Sequence, residues 1–454
     1  MKDNIFTKFI KKHGIKILAL ILAIALIISL ANINVITSLF SKEDSNDSAS
    51  SNNTLSTDTE STSSSTLELE EALAIITEQI TADPENADLY VKRAAVYYNL
   101  GKSDEAIADY TTALSLKEDP KTRYLRAMVY STAGKSQAAY DDLKIALESK
   151  PDDKDYMSLM ADTCNALKKY DEALSILETL LASDPENCTL HTLAGDACVY
   201  MEDFEKAIPH YEKAIEHFSD KDEKSGISKA NLYSAYGNSL KTVERYKEAA
   251  AAYDNSLKLK DNKELYFQRG FCKLQSENYA DAVTDFTKSI ELEYETVFSH
   301  FQRALCYYAL EKYTEAIADF KVYEEKYPDK TDSWLYMGLC YQLTKDYKTA
   351  IGYYQKCIEK EISQGSCYYN IGNCHYNLEA YSDAVDSFTE AISTNSYVYE
   401  SLLNRGICYI KLNKYNEAKV DLKRVMDECE DETLVKNATE SYEPIKNITI
   451  ITKK

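Results

Sequence analysis

Helix breakers are scarce in this chain, with 12 Gly and 7 Pro in 454 residues. Long stretches are therefore free to be helical. Positive charge is also short. The 52 basic residues stand against 74 acidic ones, a net charge of −22, which argues against a polyanion such as nucleic acid as partner. No CxxC, no Gly-rich phosphate loop and no nucleophile elbow occurs. Those absences remove the usual sequence signs of dithiol or zinc sites, nucleotide chemistry and serine hydrolysis. Tyrosine, by contrast, is abundant at 37 residues.

What the chain does contain is a repeat. From Thr331 to Ser363 the residues Trp334, Met337, Gly338, Tyr341, Tyr347, Ala350 and Tyr354 fall at helical spacings. Setting Trp334 as position 4 places Gly338 at position 8 and Ala350 at position 20. Position 8 is then Ala94, Ala127, Ala161, Gly195, Gly237, Gly270, Ala304, Gly338, Gly372 and Gly406. Position 20 is always Ala: Ala106, Ala139, Ala173, Ala207, Ala249, Ala282, Ala316, Ala350, Ala384 and Ala418. Two antiparallel helices approach closely only where side chains are tiny. Mostly apolar residues at positions 4, 7 and 11, and at 24 and 28, give each hairpin a stripe that only stacking can bury.

This pattern resembles the tetratricopeptide repeat, a 34-residue helix–turn–helix unit. The resemblance covers roughly Leu67 to Glu430. It implies an all-α, right-handed solenoid of stacked antiparallel helix pairs, a superhelix whose inner groove holds peptide ligands, and an interaction scaffold in place of an enzyme. Ten full repeats start near Ala87, Pro120, Lys154, Cys188, Ala230, Lys263, Val297, Thr331, Gly365 and Tyr399, after a half repeat with Ala72 at position 20. Spacing is 33 or 34 except between Gly195 and Gly237, where it is 42. The extra residues, Ser219 to Gly226, are expected to extend a second helix or form a loop, and to be where the stack bends.

The expected organisation is a basic segment 1–16, an apolar span 17–36, a Ser/Thr-rich linker 37–66, the solenoid 67–430 and a capping helix with tail 431–454. About 20 apolar residues cross a bilayer as a helix, and Ile17 to Ile36 carries no charge. Lys2, Lys8, Lys11, Lys12 and Lys16 place the N-terminus in the cytoplasm. The repeats would then lie outside the cytoplasm, on a single-pass membrane protein. A cleaved signal peptide, with Ser29-Leu30-Ala31 as its small-x-small site, is the alternative; the product would be a secreted carrier of peptide or glycan. The 26 residues from Ser41 to Thr66 lack the apolar content to fold. As a coil they reach roughly 28 Å.

Of the 11 Cys, five occupy position 10: Cys272, Cys306, Cys340, Cys374 and Cys408. Equivalent atoms of stacked hairpins lie about 10 Å apart, beyond the reach of a disulfide, so these read as small buried apolar residues. Six His are present. His191 and His300 sit at position 4 and His375 at position 11, interior slots, and no set with His210 or His217 completes a metal signature. No cofactor, no metal and no catalytic residue is expected.

Charge has a sharper pattern. Arg occurs at position 7 in five repeats, and only those carry Asp at position 23. The pairs are Arg93 with Asp109, Arg126 with Asp142, Arg269 with Asp285, Arg303 with Asp319, and Arg405 with Asp421. A partly buried charge needs a partner, so each pair is expected to bridge the two helices of one hairpin.

Positions 2, 5, 9 and 12 of the first helix form a second stripe, which the resemblance places in the groove. No Lys or Arg occupies position 5, so the carboxylate clamp of one subclass of the family is not expected. Repeats three to five are polar there, with Asp155, Asp162 and Asp196 among Ser, Thr and Asn. The following repeats offer Phe267, Phe271, Leu274, Phe298, Phe301, Leu305, Tyr308, Leu335 and Leu339. This half is the expected ligand-binding surface, for an apolar or aromatic peptide whose basic flank the three acids would steer. The competing expectation is that these residues pack between helices or are covered by the segment Ile445 to Ile450.

Overall fold

The computed structural model describes residues 59–448. Among them all regular structure is helical, in 23 helices. The first, α1, is Thr59–Ala82. It begins ahead of the expected start at Leu67, since residues 59–66 contain no Pro or Gly to stop it. Every hairpin belongs to one compact unit that begins at Ile76.

The hairpins follow in order. They are α2 (Ala87–Asn99) with α3 (Ser103–Leu116), α4 (Pro120–Thr132) with α5 (Ser136–Ser149), α6 (Lys154–Ala166) with α7 (Tyr170–Ser183), and α8 (Cys188–Tyr200) with α9 (Phe204–Glu216). After a short helix α10 (Asp220–Lys224) come α11 (Lys229–Thr242) with α12 (Tyr246–Leu259), α13 (Lys263–Gln275) with α14 (Tyr279–Glu291), and α15 (Thr296–Ala309) with α16 (Tyr313–Lys326). The last are α17 (Trp334–Leu343) with α18 (Tyr347–Glu359), α19 (Gln364–Asn377) with α20 (Tyr381–Ser393), α21 (Val398–Lys411) with α22 (Tyr415–Glu428), and the single helix α23 (Glu432–Tyr442). Each second helix packs on its own first helix and on the first helix of the next repeat.

Position 20 alanines are fully buried throughout. Position 8 has a more specific cause than close helix approach alone. In five repeats the edge of a ring at position 24 crowds a glycine at position 8: a Cβ at Gly338 would stand 2.6 Å from Tyr354, and one at Gly372 2.6 Å from Phe388. Each hairpin turn places position 15 in the left-handed region that terminates helices. Gly101 and Gly134 fill it in the first two repeats, and Lys168, Glu202, Glu244, Glu277, Glu311, Lys345, Glu379 and Asn413 in the other eight. Eight non-glycine residues therefore carry a strain of about 1 kcal/mol each.

The extra residues between repeats four and five do not lengthen α9. Ser219 opens the separate helix α10 by a capping box, its hydroxyl bonded to Asp222 and its amide donating to the same carboxylate at 2.8 Å. Despite this insertion α9 still packs on α11. At the far end α23 is capped by Asp431, which accepts from the amides of Thr433 and Leu434. Lys419 Nζ donates to the Ile448 carbonyl at 2.7 Å, so residues 445–448 lie on the last hairpin and not over repeats six to eight; residues 449 and 450 of the expected cover lie outside the described residues.

No helix among the described residues is long and apolar enough to cross a membrane. The expected span Ile17–Ile36 lies outside the described residues.

Candidate functional site

Two constellations organise the hairpins, and the first holds them together. Each of the five Arg donates two parallel hydrogen bonds to the Asp of its own second helix. The distances are 2.6 and 2.8 Å for Arg93–Asp109, 2.7 and 2.7 Å for Arg126–Asp142, and 2.9 and 2.6 Å for Arg269–Asp285. They are 2.7 and 2.8 Å for Arg303–Asp319, and 2.8 and 2.9 Å for Arg405–Asp421. All five Asp are buried, and the hydrogen bond to Asp raises the guanidinium pKa in Arg93, Arg126, Arg303 and Arg405.

The free end of each fork reaches further than the sequence suggested. Nη1 of Arg126, Arg303 and Arg405 donates to Thr111, Thr287 and Thr389 at 2.9, 3.0 and 2.9 Å. Nη1 of Arg269 meets Asp254 at 2.8 Å, and that of Arg93 meets Thr77 at 3.5 Å. All five partners occupy position 25 of the preceding repeat. The Arg is thus a three-way tie among two helices of one hairpin and the second helix of its neighbour. Comparing position 7 with position 25 one repeat earlier would have exposed this from the sequence.

Repeat four, which lacks the pair, fills the space with imidazoles. His191 at position 4 and His210 at position 23 face each other with Nδ1 atoms 3.1 Å apart, and His191 Nε2 meets the Pro185 carbonyl at 3.0 Å. With Nε2–H donating to that carbonyl, His191 Nδ1 accepts from His210. Burial lowers both pKa values, and for His210 the neighbouring His191 lowers it further. In repeat seven the same two positions join His300 to Asp319 at 2.6 Å.

The second constellation is the first-helix face at positions 2, 5, 9 and 12. Its polar half recruits hydroxyls from position 24: Tyr211 donates to Asp196 at 2.6 Å and Tyr253 to Asn238 at 2.8 Å. Lys241 donates to Gln268 at 2.7 Å, its pKa lowered by burial. Asp155 and Asp162 are exposed and Asp196 is half-buried. Surrounding protein nevertheless raises the Asp162 carboxyl, and raises Asp196 against the Tyr211 bond.

The aromatic half differs from the expected open patch. Phe301, Leu305 and Leu339 are buried, at 8%, 9% and 8% exposure, which makes them core and removes them from any ligand-facing wall. Phe301 lies 4.6 Å from Tyr323 and edge-on to Phe320 at 5.7 Å. The physical reason is reach. A ring at position 5 extends into the seam with its own second helix, where a small polar residue would leave a void. Phe267, Phe271, Leu274, Phe298, Tyr308 and Leu335 stay half-buried, each presenting part of its surface. Phe298 leans on Tyr327 at 5.7 Å, and Tyr308 is edge-on to Tyr336 at 5.5 Å. What remains open is a row of partial ring and aliphatic surfaces on α13, α15 and α17.

Among the described residues no group of three or more His, Cys, Asp or Glu is placed to hold a metal.

Models of the tetratricopeptide repeat match residues 87–120, 185–262, 273–331 and 400–430. A model of anaphase-promoting complex, cyclosome, subunit 3 matches 110–180 and 320–391. No curated protein matches the chain. Among solved structures, MamA (41-end) from Desulfovibrio magneticus RS-1 is 22% identical, over 38% of this chain and 94% of that one, with a TM-score of 0.35. Yeast Tom70 is 17% identical over 79% and 95%, with a TM-score of 0.31. A tetratricopeptide repeat protein from Parabacteroides merdae ATCC 43184 is 15% identical over 56% and 98%, with a TM-score of 0.37.

Proposed function

Since this chain is a tetratricopeptide repeat protein, we propose that it is a membrane-tethered scaffold that captures an apolar or aromatic segment of a partner protein on the first helices of repeats six to eight. The observation that carries the reading is the row Phe267, Phe271, Leu274, Phe298, Tyr308 and Leu335, half-buried on three successive first helices. Aromatic surface in a partly enclosed row is what interface anchors use. Repeats three to five hold polar groups in the same positions, and Asp155, Asp162 and Asp196 would draw a basic flank of the segment toward them. The tether is the apolar stretch Ile17–Ile36, with its lysines on the cytoplasmic side and the repeats outside.

The test uses the full chain in detergent micelles and fluorescent peptides of matched length, rich in Phe and Leu or polar. The aromatic peptides should bind, and Phe271→Glu with Phe298→Glu should weaken them at least tenfold, about 1.4 kcal/mol, without changing helical content. Binding of polar and aromatic peptides alike, or affinity unmoved by the paired substitution, would contradict the proposal. Protease added to intact cells should digest the repeats; full protection would overturn the topology.

A further inference from the structure

Three of the junctions between repeats share one backbone form. Positions 31 and 33 are left-handed at Glu293 and Glu295, at Glu361 and Ser363, and at Asn395 and Tyr397. In each, the turn separates position 27 of one repeat from position 3 of the next by ten residues. The junction of repeats six and seven places Ser289 and Ser299 there, both fully buried, with their hydroxyl oxygens 3.0 Å apart. Ser289 donates to the carbonyl of residue 294 at position 32 at 2.8 Å, and the Ser299 oxygen lies 3.3 Å from the same carbonyl.

At the junction of repeats eight and nine the two positions are Cys357 and Cys367. Both are fully buried in one cluster with Trp334 and Tyr354. Cys367 repeats the serine contact, its sulfur 3.6 Å from the carbonyl of Ile362, again position 32. The identical separation of ten residues, the shared turn and the shared carbonyl contact put the two thiols where the two hydroxyls meet.

We propose that Cys357 and Cys367 close to a disulfide while the chain folds, before the seam between repeats eight and nine shuts out solvent, by exchange with a low-molecular-weight disulfide such as oxidised glutathione. The Cys357 thiolate attacks the external disulfide and one glutathione thiolate leaves. Cys367 then gives its proton to solvent and its sulfur attacks Cys357, releasing the second glutathione. Two protein thiols are oxidised to one disulfide and the external disulfide is reduced to two thiols. In the folded chain, contact with the Cys367 thiol, helped by Lys356 alongside, lowers the Cys357 pKa, and the same contact raises that of Cys367. The five position 10 thiols have no such partner, and burial pushes each up to about 12.

Because both sulfurs are buried, the full chain is unfolded in urea and refolded in detergent with oxidised glutathione. It is then alkylated under denaturing, non-reducing conditions and digested with trypsin. Cleavage after Lys356, Lys360 and Arg405 gives peptides 357–360 and 361–405. They should be recovered linked, 2 mass units lighter than their sum. Peptide 361–405 also carries Cys374, so the link should survive Cys374→Ser and vanish in Cys367→Ser. The double variant Cys357→Ser/Cys367→Ser reproduces the serine junction, and should fold and show no link. Recovery of both thiols alkylated in refolded wild-type protein, or a link that persists in Cys367→Ser, would overturn the proposal.

Discussion

Repeats three to five, Lys154 to Leu259, and repeats six and seven, Lys263 to Lys326, share a backbone plan and differ in nearly every side chain that distinguishes repeats. The earlier three lack the Arg–Asp tie and line their first helices with Asp, Asn, Ser and Thr. The later two have the tie and line the same positions with Phe, Leu and Tyr. What differs in chemistry does not differ in the hairpin, because positions 8 and 20 remain small in both regions. Positions 7, 23 and 25 set how one repeat is tied to the next. Positions 2, 5, 9 and 12 set what the surface presents. Each set can therefore vary without unfolding the other.

The largest expected contrast is at position 5. Phe301→Ala in repeat seven should cost about 4 kcal/mol, since a buried ring leaves a cavity, whereas Thr192→Ala in repeat four should stay within about 0.5 kcal/mol. Urea unfolding measures both; equal costs would erase the distinction between core and surface at that position.

At position 7, Arg303→Met should destabilise by about 3 kcal/mol, by leaving the buried Asp319 carboxylate with only the His300 ring as partner. The companion change Met160→Leu in repeat three should cost under about 1.5 kcal/mol. Adding Asp319→Leu to Arg303→Met should recover most of the loss. A double variant no better than the single would mean that packing, not the stranded charge, sets the cost.

Acid should separate the regions next. Burial lowers the pKa of His191 and His210 below the ordinary value of about 6.5. The unfolded chain therefore binds protons that the folded one refuses. Their stabilisation is fully present above pH 6.5 and is lost as pH falls through the depressed values. The melting temperature should drop more between pH 7 and pH 5 in the wild-type protein than in His191→Phe/His210→Phe. Parallel pH profiles would refute the assignment.

The smallest effect should be the same in both regions. Glu202→Gly and Glu311→Gly relieve a left-handed residue at position 15 and should each stabilise by about 0.5 kcal/mol, the relief of strain partly offset by the flexibility of glycine in the unfolded chain. A loss at either position would mean that the glutamate side chain contributes more than its backbone costs.

Much of this was legible in the sequence, for reasons that also mark where legibility stopped. The hairpin register followed from Ala at position 20, because steric demand there admits almost nothing else. The Arg–Asp link was readable because both charges occur together or neither does. The link to position 25 follows the same covariation one repeat back, a comparison across the repeat boundary. Exposure of the aromatic row was not legible: whether Phe301 faces solvent or the seam depends on how far a ring reaches toward Phe320 and Tyr323, a distance that helical spacing does not specify. The helix at Asp220–Lys224 was hidden by its length, although Ser219 and Asp222 spell its cap.

The most direct test of the account is hydrogen exchange of the full chain with and without a saturating Phe- and Leu-rich peptide. Protection should increase on α13, α15 and α17 while α6, α8 and α11 remain unchanged. Protection confined to α6, α8 and α11, or none at all at a concentration that saturates binding, would contradict the assignment of the binding surface to repeats six to eight.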